Sequence, residues 1–150
     1  MMKVIVDTCV WLLSLQRRSA ASLKISEQQI VAQLRQAIQD GRAAIIGPIR
    51  QEILSGIRDK AHFAKTVGLL DSFRDEEITA SDYVEAARLY NLCQDHGVQC
   101  GAVDTLLCAV AVRNRFGILT CDGGLKRCIG FCRQRGSCTK QLFFARGLSS

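Results

Sequence analysis

The chain has 150 residues, 48% hydrophobic, 23% charged and 6% aromatic, with one proline; this suits a single domain over 1–150, excludes a disordered or collagen-like chain and disfavours a turn-rich all-β sandwich. No run approaches the ~18 consecutive apolar residues of a membrane span. The net charge of +6 is uneven, since residues 1–110 carry 12 Lys and Arg against 13 Asp and Glu while residues 111–150 carry 8 against Asp122 alone; such a basic flank suits a polyanion or simply solvent.

Lys3-Val4-Ile5-Val6 is a continuous apolar, β-branched run that ends at Asp7, the pattern of a strand buried on both faces in a parallel sheet. An acid inside its apolar run and no small-residue cleavage site argue against a secretory signal, so a soluble, cytoplasmic protein is expected. Val10 to Leu15 suits one or two helical turns, and Gln16 to Lys24 a loop. Ser26 with Gln29 is a capping-box signal for a helix carrying Ile30, Leu34 and Ile38, closed by Gly41. Ala43 to Ile46 reads as strand two, and Pro48 suits the first position of a helix with Ile49, Ile53 and Ile57 as its apolar stripe. Lys60 to Phe73 is a further helix and Glu77-Ile78-Thr79 a minimal third strand. Thr79 or Ser81 then caps a helix running to His96, stopped by Gly97.

Asp104 opens a helix from Thr105 to Arg115 whose LLCAVAV core is apolar nearly all round, hence buried. Gly117 to Thr120 is the fourth strand and runs into Asp122. Beyond Gly123 the periodicity fades until Leu142-Phe143-Phe144, a candidate edge strand. Helices alternating with short apolar strands imply an α/β sandwich around a mainly parallel sheet. Of the eight cysteines, Cys9, Cys93, Cys100 and Cys108 sit in apolar stretches as small hydrophobes. The others lack a C-x2-C pair, which disfavours a zinc ribbon, and reduced thiols are expected.

Four carboxylates stand where burial or an element end is expected. Asp7 and Asp122 follow buried strands, and strand carboxyl ends line the crevice where ligands bind in an open parallel sheet. Glu52, in the first turns of the helix after strand two, points back to that edge, and Asp104 starts the buried helix. Four converging anions repel one another unless a divalent cation neutralises them, and oxygen ligands with few histidines suit Mg2+ or Mn2+. Each acid also has a plainer reading: an N-cap for Asp104, a solvated helix position for Glu52, a turn for Asp122. Asp7 is the hardest to dismiss, because a charge at the end of a buried strand is costly to leave unpaired.

VIVDT at 4–8, PIRQEILSGI at 48–57, GAVDTLLCAVAV at 101–112 and ILTCD at 118–122 resemble the acidic motifs of the PIN-domain nucleases, most of all the VapC-type toxins of toxin–antitoxin pairs. The resemblance covers residues 3 to about 124. It implies a three-layer α/β/α sandwich around a short, mainly parallel sheet. It implies a metal-dependent endoribonuclease, usually dimeric and held inactive by an antitoxin. By position it makes Asp7, Glu52, Asp104 and Asp122 the catalytic acids, with Asp7 and Asp104 as direct ligands of Mg2+ or Mn2+ and Thr120 in a supporting hydroxyl position; Thr8 is a weaker candidate. The chain departs from the family after Asp122, where Leu125 takes an aromatic position and a Cys/Arg/Gly-rich tail follows. A non-catalytic RNA-binding or interaction module on the same fold is the competing reading.

Overall fold

Alternating short apolar runs and helical stripes build a parallel sheet between two groups of helices. The computed structural model describes residues 1–15 and 22–134; part of the expected loop after Leu15, and the expected edge strand at Leu142-Phe143-Phe144, lie outside them. The order is β1 (Val4–Val6), α1 (Thr8–Leu15), α2 (Ile25–Gln39), β2 (Ala43–Ala44), α3 (Gly47–Ser55), α4 (Lys60–Leu70), α5 (Ala80–Asp95), α6 (Ala102–Asn114), β3 (Gly117–Leu119) and α7 (Gly123–Gln134). The strands lie in the order β2-β1-β3, all parallel, with Val4 opposite both Ala43 and Gly117. Every residue of β1 and β3 is buried, as continuous hydrophobic runs require of strands covered on both faces. α1, α2, α3 and α4 pack among themselves, as do α5, α6 and α7, giving the α/β/α arrangement expected. Among the described residues, no helix is long and apolar enough to cross a membrane.

Local chemistry sets most element ends. Gly41 takes a left-handed φ of 67° after α2, and Gly97 one of 70° after α5, which glycine adopts without a Cβ clash. Thr79, of the two candidates, is the N-cap of α5: its hydroxyl accepts the Asp82 N–H, and the Asp82 carboxylate accepts the Thr79 N–H at 2.8 Å. Pro48 falls one position inside α3, which starts at Gly47.

Four expectations are corrected. Glu77-Ile78-Thr79 forms no strand; the sheet edge is instead met by an isolated bridge between Ile45 and Asp75, with the Glu76 N–H donating to the Ile45 carbonyl at 2.8 Å. Backbone pairing at an edge needs no apolar side chain, so hydrophobicity could not mark it. The α2 capping box starts two residues early, with Glu27 accepting the Lys24 N–H at 2.9 Å. The segment after Gly123 is helical to Gln134, with Leu125, Cys128, Ile129 and Cys132 buried at the spacing of one helix face. And Cys100 is disulfide-bonded to Cys128, where reduced thiols were expected.

Two ion-pair networks brace the helical layers. Arg50 of α3 donates to Asp75 and to the carbonyls of Leu70 and Phe73, at the end of α4, at 3.0 and 2.6 Å. Arg113 of α6 grips Asp82 of α5 through Nε and Nη2 at 2.8 and 2.9 Å. Burial alone pushes the Asp82 carboxyl up, but the Arg113 and Thr79 hydrogen bonds outweigh it and hold it below its ordinary value. Asp82→Asn is expected to cost about 1–3 kcal/mol near neutral pH, the range of a charge-assisted hydrogen bond. A carboxyl held low in the fold stabilises it above the ordinary aspartate range and loses that contribution as pH falls below it. The gap between wild type and Asp82→Asn in urea unfolding should therefore shrink in acid; a gap that is constant or widens in acid contradicts this reading.

Candidate metal centre

With β1 in the middle of the sheet, the chain leaves for β2 on one side and β3 on the other, so the crevice beyond the strand ends opens beside β1. Asp7 is the first residue past β1, and its carbonyl starts α1 by accepting the Val10 N–H. Its side chain is only 7% exposed. Oδ1 accepts the Thr8 N–H at 2.8 Å, and Oδ2 accepts the Thr120 hydroxyl at 2.8 Å and the Cys9 thiol at 3.5 Å. Thr120 follows β3 and is itself buried. While donating to Asp7 it accepts the Asp122 N–H at 3.0 Å, so one hydroxyl fixes the acids that follow the two central strands.

Asp122 is exposed and starts α7, its Oδ2 accepting the Leu125 N–H at 2.8 Å. The bare backbone of Gly124 suits this turn, since a Cβ there would lie 3.2 Å from Asp122 Oδ2. Glu52 is exposed on α3, where its carboxylate accepts the Thr8 hydroxyl. Thr8 therefore joins Glu52 of α3, through its hydroxyl, to Asp7, through its N–H, a role that its position in sequence indicated only weakly.

Asp104 stands in the first turn of α6 rather than opening it. Gly101 is the N-cap, and its N–H donates to Asp104 Oδ2 at 3.1 Å. The fourth acid is thus a capping side chain, with the glycine rather than Asp104 in the cap position. Burial pushes the Asp104 carboxyl up, the Gly101 N–H pulls against it, and the charges of Asp7, Asp122 and Glu52 push it further up. All four acids therefore share one electrostatic field. None is in an ion pair among the described residues.

The donor set is all oxygen: carboxylates at the end of β1, at the starts of α6 and α7 and on α3, with threonine hydroxyls between them. It fits a hard divalent cation, which would neutralise a cluster that has no cationic side chain paired with it. Sequence reasoning missed Cys9, whose thiol touches Asp7 and whose sulfur accepts the Cys121 N–H at 3.2 Å. Its place two residues after Asp7, like that of Cys121 beside Asp122, was the available signal.

Comparison with known proteins agrees with this architecture. The chain is similar to the crystal structure of FitAcB from Neisseria gonorrhoeae, with a TM-score of 0.67 and 17% identity over 85% of this chain and 93% of that one. It is also similar to VapBC2 from Rickettsia felis bound to a DNA fragment from their promoter, with a TM-score of 0.65 and 13% identity over 95% of this chain and 97% of that one. At these identities the likeness speaks for the fold. No curated protein matches the chain by sequence. The PIN domain model matches residues 4–129, most of the chain and the stretch within which the four acids lie, and the protein belongs to the PIN domain family.

Proposed function

We propose that the chain is a metal-dependent endoribonuclease, hydrolysing RNA phosphodiester bonds with Mg2+ or Mn2+, and that it is the toxin of a VapBC-type toxin–antitoxin pair, acting as a homodimer. The observation that carries the nuclease reading is the set of four acids, Asp7, Glu52 and Asp122 joined through Thr8 and Thr120 and Asp104 in their electrostatic field, lacking any ion-pair partner among the described residues. The toxin role, and with it an antitoxin partner, is supported by likeness to two toxin–antitoxin assemblies.

Asp7 and Asp104 would hold the metal directly, while Glu52 and Asp122 act through water or complete a second ion's shell. When bound, the metal neutralises phosphate charge and supplies a hydroxide-like water at neutral pH. The chain's own part is orientation: Thr120 holds the inner carboxylate of Asp7, and Thr8 holds Glu52. Lys126 and Arg127 are exposed on α7 directly after Asp122; Lys126 borders a hollow shared with Cys9 and Cys121. They sit where a strand crossing the crevice needs phosphate contacts. Arg133 lies further along α7, and the remaining basic residues, from Arg135 on, lie outside the described residues.

The direct test is cleavage of mixed RNA with Mg2+ or Mn2+ and with EDTA. Cleavage is expected only with metal, and Asp7→Asn should abolish it by orders of magnitude while the chain stays folded, because an asparagine amide can still donate to Thr120. Equal cleavage in EDTA, or wild-type rates from Asp7→Asn at saturating metal, sinks the reading; a folded wild type that cleaves no RNA under any metal favours the non-catalytic module.

Asp104 gives a pH test. Its carboxyl is raised in the fold, so its charge destabilises the metal-free protein above that raised value, and the penalty disappears below the ordinary aspartate range, where both states are neutral. Asp104→Asn keeps an oxygen for the Gly101 N–H. In chelator near neutral pH it should melt higher than wild type, with the advantage vanishing in acid. A lower melting temperature at neutral pH contradicts the repulsion argument.

For the rim, the double variant Lys126→Gln, Arg127→Gln should flatten the slope of log RNA affinity against log salt by about 1.4, at roughly 0.7 per contact for single strands. An unchanged slope in a folded double variant removes these residues from the RNA path.

A further inference from the structure

A second cluster of ligating side chains belongs to the α5–α6–α7 layer and contains none of the four acids. The sulfur atoms of Cys93, Cys128 and Cys132, all buried, lie within 4.8 Å of one another. Cys100 joins them through its bond to Cys128. Three sulfurs therefore meet from α5 and α7, and Cys100, in the connection before α6, is held beside them by its bond to Cys128. Cys93 Sγ and Cys128 Sγ are 3.8 Å apart. That matches the edge of a ZnS4 tetrahedron, roughly 3.8 Å for Zn–S bonds of about 2.3 Å.

A core that uses cysteine as a small hydrophobe needs its volume, which alanine or valine supplies as well, and has no reason to turn three sulfurs toward one point. A soft or borderline cation has that reason. Cys128 and Cys132 stand one helical turn apart on α7, so both sulfurs come from one face. Burial pushes the Cys93 thiol up to about 11, and the neighbouring Cys132 adds to the rise. A dication is what makes thiolates favourable in so buried a cluster. Cys100 is only partly buried and gives an ion its route in.

We infer that Cys93, Cys100, Cys128 and Cys132 form a closed tetrathiolate site for Zn2+ in the reduced protein. The site is structural: it pins α7, which begins beside Asp122, to the segment that leads into Gly101, whose N–H holds Asp104. The disulfide is the oxidised, metal-free form of the same cluster. A dithiol reductant delivers two electrons and two protons to the Cys100–Cys128 bond, giving two thiols, and is itself oxidised to a disulfide. Zn2+ then displaces the four thiol protons, leaving a centre of charge −2.

The test uses the full chain, reduced with a dithiol, freed of reductant without oxygen and titrated with Co2+ alone. One equivalent is expected to give tetrahedral visible bands and a near-ultraviolet sulfur-to-cobalt charge-transfer band, both erased by Zn2+. Carboxylate ligands give no sulfur band, and Cys9→Ser controls for the one thiol that touches Asp7, so the two sites are read separately. Cys93→Ser and Cys132→Ser should each weaken Co2+ binding tenfold or more, and the oxidised chain should give no such spectrum. Absence of the charge-transfer band from reduced wild type overturns the inference and needs no variant to fold. Loss of the band in Cys9→Ser, with its retention in folded Cys93→Ser, overturns it as well by moving the site to the Cys9–Cys121 pair.

Discussion

The carboxylate of Asp7 is the constraint around which this fold is arranged. It is nearly buried at the end of the central strand and met by an amide, a hydroxyl and a thiol rather than by a cation. Neutral hydrogen bonds soften the cost of such burial without removing it. Three further acids in its field make the cost larger, as the upward push on Asp104 records. A protein keeps an arrangement of this kind where a bound cation reverses the sign of the interaction, turning mutual repulsion into shared attraction.

The scaffold serves that cluster through short, local devices. Parallel order β2-β1-β3 brings the ends of β1 and β3 side by side, so Thr120 can reach Asp7 and the Asp122 amide at once. Arg50 anchors α3 to the end of α4, which fixes the helix that carries Glu52. Arg113 and Asp82 clamp α6 to α5, which fixes the helix that carries Asp104. Positions far from the acids therefore set where the acids stand, and this is the preorganisation on which a metal centre relies.

Much of this was legible in the sequence because burial and charge leave opposite marks. A β-branched run cut off by an acid identified both β1 with Asp7 and β3 with Asp122, and the apolar helix after Asp104 could only be internal. What escaped were features made by partners distant in the chain or by residues with two chemistries. The stripe Leu125, Cys128, Ile129 and Cys132 has helical spacing, but two of its four members are cysteines, more readily weighed as ligands than as core. The Asp75 edge bridge uses backbone alone. Asp104 was read as the residue that opens its helix, whereas Gly101, three residues earlier, holds the cap position and Asp104 folds back onto its amide. The contact between Thr8 and Glu52 spans 44 positions, and no local pattern encodes it.

The central claim is that the acids form one cation-demanding set, and the most direct measurement is the melting temperature of the wild-type chain across a Mn2+ titration at neutral pH and again in acid. An ion that binds only the folded state raises stability by RT ln(1 + [M]/Kd), so the melting temperature should climb steadily with log concentration at neutral pH. In acid, with the carboxylates protonated, the same titration should be nearly flat. A melting temperature indifferent to Mn2+ at neutral pH, in a chain shown to be folded, would contradict the account.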